Sequence, residues 1–186
     1  MVKRLPQEPR PSSRRRGRLI LVTGGAASGK SDAALEMAGK AGPRAFVATG
    51  QPLDDEMAER IRRHQASRQA DWRTDEVPVD LAAWFDKQGR TYRTILVDCL
   101  TLWLSNLQGR GVSDAQVPLL VSELLRTMKA TKARIVVVTN ELGLGLVPVE
   151  AAARRFRDLA GRVNQQFARE ADEVYVVVSG LPVRIK

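Results

Sequence analysis

The chain has 186 residues, 44% of them hydrophobic, and a net charge of +9, which suits one ordinary domain with a real core. Its mean hydropathy is −0.24. No apolar run approaches the roughly 20 residues that a membrane span needs, and the basic start has no apolar signal segment, so a soluble, cytoplasmic protein is expected. In chain order, residues 1–17 come first as a basic tail with three prolines, two serines and hardly any apolar content. Such a segment is expected to be disordered. Within residues 1–18, seven basic side chains face the single acid Glu8, so most of the net charge sits in the tail rather than on a domain face. A solvated extension is the plain expectation, and a polyanion-binding arm is the alternative.

From residue 18 to 186 one domain is expected, in which strand-like and helix-like segments alternate. Arg18–Thr23 is a short apolar run ending in glycines and reads as a strand. Lys30–Lys40 reads as a helix, Arg44–Ala48 as a strand, and Asp54–Arg68 as a helix whose acidic start suits the helix dipole. Leu81–Lys87 is a weaker helix and Thr94–Val97 a strand. Leu100–Leu107 continues at helical spacing, and Ser113 or Asp114 could cap a helix running to about Lys129. Arg134–Thr139 is a valine-rich strand, Glu150–Glu170 a long helix, Val174–Ser179 a strand, and Leu181–Ile185 an edge strand. This alternation predicts an α/β fold with a mostly parallel central sheet flanked by helices. The single cysteine, Cys99, rules out an intrachain disulfide. It lies in the apolar stretch Ile95–Leu104 and is expected to be a buried, inert thiol.

The loop between the first strand and the first helix carries the clearest chemistry. Gly24, Gly25, Ala26, Ala27, Ser28, Gly29, Lys30 and Ser31 spell G-x-x-x-x-G-K-S, the P-loop pattern in its confirming context. Small residues let backbone N–H groups converge on phosphates, and the helix N-terminus favours the negative charge. Lys30 is expected to reach the outer phosphates and Ser31 to bind magnesium. The second magnesium partner should end another buried strand. Asp98 follows Thr94–Val97 and is assigned that place, with a helix-cap role as the alternative. These features specify a nucleoside triphosphate and a metal. They do not choose between a small-molecule kinase, a nucleotidyltransferase and a motor ATPase.

His64 is the only histidine. It falls late in the Asp54–Arg68 helix among Arg60, Arg62, Arg63 and Arg68. An ordinary surface histidine is the plain reading. The alternative is chemical. Neighbouring like charge disfavours imidazole protonation, which would leave a neutral nucleophile beside arginines able to neutralise a polyphosphate. Such a group could attack a nucleotide α-phosphate with pyrophosphate leaving.

With these residues the chain resembles the bifunctional adenosylcobinamide kinase / adenosylcobinamide-phosphate guanylyltransferase family of cobalamin biosynthesis. The resemblance runs from about Leu19 to Lys186 and rests on blocks in order. After the phosphate loop come Ala48–Gln51, Leu53–Met57 with Arg60, Ile61 and His64, then Arg68, Trp72, Thr74 and Glu76. Asp98–Thr101, Asn106 and Leu107 follow, then Val138–Glu141 with Gly143, Gly145, Val147 and Pro148. Phe156–Asp158, Ala160–Gln165 and Val177–Leu181 complete the set.

The resemblance implies a RecA-like P-loop fold and two reactions. Adenosylcobinamide is phosphorylated with ATP or GTP, and GMP is then transferred from GTP through a GMP-histidine intermediate to give adenosylcobinamide-GDP. It places the intermediate on His64, and GTP contacts at Ala48, Thr49 and Gly50, at Gln65, Ala66, Ser67 and Arg68, at Glu76 and at Asp98. It also implies Mg2+, the corrinoid and its phosphate as partners, no nucleic acid, and a homo-oligomer, with a trimer as one form. The tail precedes the family's usual start, and Arg63 stands where some relatives show a second histidine.

Further blocks carry two readings each. Thr139-Asn140-Glu141 ends a strand at the sheet edge where α/β proteins bind ligands. Corrinoid-arm binding or support of the catalytic loop is one reading, and a tight turn is the other. Trp72, Trp84 and Trp103 are expected to be packing residues. Arg154, Arg155, Arg157 and Arg162 are expected on the solvated face of their helix. The competing functions are a metabolite kinase without guanylyl transfer, and a RecA-like nucleic-acid ATPase with the tail as its DNA arm.

Overall fold

A computed structural model describes residues 17–66 and 71–186, with the side chains of residues 60, 61 and 63–66 outside the description. The elements are β1 (Arg18–Gly24), α1 (Lys30–Ala38), β2 (Arg44–Ala48), α2 (Asp55–Ala66), β3 (Trp72–Glu76), α3 (Leu81–Gln88), β4 (Thr94–Asp98), α4 (Leu100–Gly109), α5 (Val117–Lys129), β5 (Arg134–Val138), α6 (Ala151–Glu170), β6 (Glu173–Val178) and β7 (Leu181–Arg184). A one-turn 3-10 helix, Leu142–Leu144, follows β5.

The strands form one sheet in the order β3-β2-β4-β5-β1-β6-β7. β1 pairs in parallel with both β5 and β6, and β2 pairs in parallel with β3 and β4. β7 alone returns antiparallel, against β6. Parallel strands need crossover connections, and the helices supply them.

The period of 2 along each strand divides the apolar residues between two cores. Leu19, Leu21, Ile95, Val97, Ile135 and Val137 face a large cluster built with α3, α4, α5 and α6, including Phe85, Leu104, Leu124 and Phe167. Ile20, Val22, Phe46, Leu96, Val136 and Val138 face a smaller cluster with Ala33, Ala34 and Ala38 of α1, and with Trp72 and Cys99. The central strands are therefore buried on both faces, which is why they read as unbroken apolar runs.

The sequence expectation for the fold holds, with local corrections. α1 stops at Ala38, where Gly39 takes φ 71 and its N–H bonds the Glu36 carbonyl. That glycine ends the helix two residues before the expected Lys40. The cap expected at Ser113 or Asp114 is displaced. α5 starts at Val117 with Pro118 in its first turn, and Ser113 instead bonds Gln116 Oε1 through its N–H at 2.9 Å and its hydroxyl at 2.8 Å.

β3 was not expected as a strand. Its residues Trp72-Arg73-Thr74-Asp75-Glu76 bury only the tryptophan, so this edge strand lacks the apolar pattern that marks its neighbours. The expected tail, residues 1–17, lies outside the described residues except for Gly17. The three tryptophans are buried as expected. Trp84 stacks on Tyr92 at 5.9 Å and donates to Asp75 Oδ2 at 3.0 Å. Trp103 donates to the Val79 carbonyl at 2.7 Å. Arg155 and Arg162 are exposed, whereas Arg154 and Arg157 are half-buried. Among the described residues, no helix is long and apolar enough to cross a membrane.

Candidate active site

Parallel strands end on one edge, and the candidate residues gather there. β1 runs into the loop Gly24–Ser31, which opens α1. Gly29 sits at φ 88, a left-handed conformation that glycine adopts without penalty. A Cβ there would lie 3.0 Å from Gly180 Cα in the β6–β7 turn. The Gly180 N–H also donates to the Ser28 carbonyl at 2.8 Å, so the turn backs the loop from behind. Ser28 Oγ is buried without a partner among the described residues, a polar atom left over in a loop shaped for phosphate oxygens.

Lys30 is 7% exposed, and its Nζ donates to the Gly25 carbonyl at 3.0 Å. The ammonium is thus folded back over the loop that the phosphates would fill. Ser31 Oγ donates to Asp98 Oδ2 at 3.1 Å. A hydroxyl and a carboxylate in contact at the mouth of the loop are the hard-oxygen donors that magnesium takes alongside phosphate and water. The residues present therefore fit that ion.

Asp98 ends β4, level with Ala48 of β2 and Val138 of β5. Glu76 ends β3, level with Ala48 on its other side, and is exposed. Ala48, Glu76 and Asp98 are therefore brought to one line at the sheet edge. Gly50 is half-buried beside them. Thr49 turns inward instead and is fully buried. Its hydroxyl accepts from Cys99 N and donates to the Cys99 carbonyl, each at 2.8 Å. Its side chain braces the loop after β2 against the start of α4. Cys99 is buried beside it, and burial first, then the nearby Asp98 charge, pushes the thiol up to about 11.

His64 lies in α2, the crossover from β2 to β3. Asp54 starts that helix, its Oδ1 accepting from Met57 N at 2.7 Å, as an N-cap does. None of the described α2 side chains is buried. Gln65 and Ala66 occupy its last turn. Ser67 and Arg68, and the His64, Gln65 and Ala66 side chains, lie outside the described residues.

Two helix asparagines were given no role from sequence. Asn106 Nδ2 donates to the Thr49 and Pro78 carbonyls at 2.8 and 2.9 Å, tying α4 to the loops after β2 and β3. Asn164 is buried on α6 and bonds the end of β5. A lone amide inside an apolar helical stripe was the available signal for both, because burial of such a group demands partners.

The profile of one protein family, cobinamide kinase / cobinamide phosphate guanyltransferase, matches residues 20–185. The chain belongs to this family. It is 41% identical over 185 residues to the bifunctional adenosylcobalamin biosynthesis protein CobU of Salmonella typhimurium, covering 90% of this chain and 99% of that protein. It is 40% identical over 180 residues to CobU of Escherichia coli, with the same coverage. CobP of Pseudomonas aeruginosa is 40% identical over 174 residues, covering 89% of this chain and 96% of that protein. In fold, the chain is similar to the KaiC-like protein PH0186 of Pyrococcus horikoshii, with TM-score 0.52 and 12% identity over 87% of this chain and 71% of that one. The cobinamide kinase / guanyltransferase family is thus built here on a P-loop sheet. Both reactions in its name act at phosphorus, and the loop brings Lys30, Ser31 and Asp98 together at one end of the sheet.

Proposed function

We propose that the chain phosphorylates the aminopropanol hydroxyl of adenosylcobinamide with ATP or GTP. It then transfers GMP from GTP, through GMP held on His64, to the new phosphate. The product is adenosylcobinamide-GDP. The observation that carries this reading is the P-loop with Ser31 against Asp98 at 3.1 Å, in a chain of this family whose single histidine lies on the β2–β3 crossover helix.

In the kinase half, the backbone of Gly24–Gly29 cradles the triphosphate and Lys30 swings from the Gly25 carbonyl onto the outer phosphates. Ser31 and Asp98 would hold magnesium, which would supply neutralisation of the phosphate charge. In the guanylyl half, a His64 ring nitrogen attacks the α-phosphorus and pyrophosphate departs, with Lys30 countering its charge. A cobinamide phosphate oxygen then displaces His64. Ala48, Gly50, Gln65, Ala66, Ser67, Arg68 and Glu76 contact the GTP, with Thr49 contributing through the backbone it braces. The enzyme acts in the cytoplasm as a homo-oligomer.

The test is product analysis by mass spectrometry with adenosylcobinamide, GTP and magnesium. The wild-type chain should yield adenosylcobinamide-GDP, and His64→Ala should stop at adenosylcobinamide phosphate. A His64→Ala variant that still forms the GDP product would overturn the histidine route.

A further inference from the structure

A polar cluster at the end of β5 is not used by the phosphate loop, the magnesium pair or His64. Asn164 sits on the buried stripe of α6 and is 8% exposed. Its Oδ1 accepts from Thr139 Oγ1 at 2.8 Å, and its Nδ2 donates to the Asn140 carbonyl at 3.0 Å. The same Nδ2 lies 3.4 Å from Glu141 Oε2. From α4, Thr101 Oγ1 accepts from Asn140 N at 2.9 Å. Glu141 N donates to the Gly24 carbonyl at 3.0 Å, which fastens this residue to the first glycine of the phosphate loop. Residues 139–141 are thus fixed by α4, α6 and the loop itself, at a place where a strand would ordinarily give way to unconstrained backbone.

What this scaffold presents is a carboxylate. Glu141 is half-buried, and its one side-chain bond among the described residues, the long one to Asn164, leaves acceptor capacity on both oxygens. The strand order puts it next to β1, while Asp98 is two strands away and Glu76 four. At about 4.8 Å per strand, Glu76 is roughly 19 Å across the sheet from the loop. Asp98 is already engaged with Ser31. Of the carboxylates at the strand ends, Glu76, Asp98 and Glu141, the last is therefore the one best placed to meet a group arriving at the loop.

We propose that Glu141 accepts the proton of the attacking hydroxyl in the kinase half-reaction, and that Asn164 positions it. This rests on the kinase reading above. The hydroxyl oxygen forms a bond to the γ-phosphorus as the bond from that phosphorus to the β–γ bridging oxygen breaks. The nucleoside diphosphate leaves with that electron pair, and the hydroxyl proton moves to a Glu141 oxygen. In the guanylyl half the acceptor is a phosphate oxygen, which is largely ionised at neutral pH and has no proton to surrender. Glu141 therefore serves one half-reaction and not the other.

The full-length Glu141→Gln variant, nearly isosteric, separates the two. Phosphorylation of adenosylcobinamide should lose roughly 10²- to 10⁴-fold in kcat, the usual weight of a general base, with little change in nucleotide KM. Guanylyl transfer to synthetic adenosylcobinamide phosphate should stay within about threefold. Asn164→Ala should lower the ratio of kinase to guanylyl rates in the same direction by a smaller factor, which a general loss of folded protein would not do. Kinase activity retained within threefold in Glu141→Gln would overturn the proposal. So would an equal fall in both activities, which would mark Glu141 as part of the loop or metal support. If the wild-type chain does not phosphorylate adenosylcobinamide at all, the kinase reading itself has failed and this proposal falls with it.

Discussion

Ser31 and Asp98 are 67 positions apart in the chain and 3.1 Å apart in space, and each was legible from its local setting. The serine follows Gly-Lys at a helix start, and the aspartate ends a buried apolar strand. Thr49 shows the limit of such reading. Its place in the Ala48–Gly50 block was visible, but its inward rotamer depends on Cys99, which tertiary folding brings to it. Cys99 itself makes a pH prediction. Its pKa is raised from 9.0 to about 11 in the fold, by burial and then by Asp98. Between those values the unfolded chain loses the thiol proton and the native chain keeps it. The stability contribution is therefore intact below pH 9 and declines as pH rises towards 11, by an eventual 2–3 kcal/mol or so. Urea melts of wild type and Cys99→Ala at pH 8 and pH 10.5 should show a steeper fall for the wild type. Parallel slopes would mean that the thiol ionises alike in both states.

Among the elements, the long apolar strands and the helices with regular apolar stripes were readable in the sequence, because burial on two faces or on one stripe leaves a periodic mark. β3 left none, since an edge strand with a polar face satisfies its backbone on one side and needs little apolar surface. Helix ends moved where a glycine or a proline set the boundary, as at Gly39 and Pro118. α2 carries its acidic first turn and its Asp54 cap but buries none of its described side chains. α4 shows the contrary design. Through Asn106 it ties down two loops of the site, so Asn106→Ala should leave the Thr49 and Pro78 carbonyls without that donor. The expected effects are a stability loss of about 1–3 kcal/mol, seen as a lower Tm, and a raised KM for GTP. An unchanged KM with a lowered Tm would confine Asn106 to stability.

Across the whole molecule, the sheet places the loop of β1 beside β5 and within two strands of β4, and this order assembles the site from distant segments. The strand order is what the sequence could not disclose, since alternating strands and helices are compatible with several orders. Charge is distributed on this scale too. Most of the net charge of +9 lies in the first 18 residues, which precede every motif of the site in the sequence, so deleting residues 1–16 should leave both activities within about twofold. Duplex DNA should not stimulate GTP hydrolysis with or without the tail, whereas a nucleic-acid ATPase would show strong, salt-sensitive stimulation.

We propose that one fold runs both reactions with His64 as the guanylyl carrier. The most direct test is incubation of the purified chain with GTP and magnesium, followed by mass spectrometry of its peptides. The expected result is an acid-labile GMP on the peptide containing His64, absent from His64→Ala. A chain that binds GTP yet carries no adduct, or carries it on another residue, would exclude His64 as the carrier.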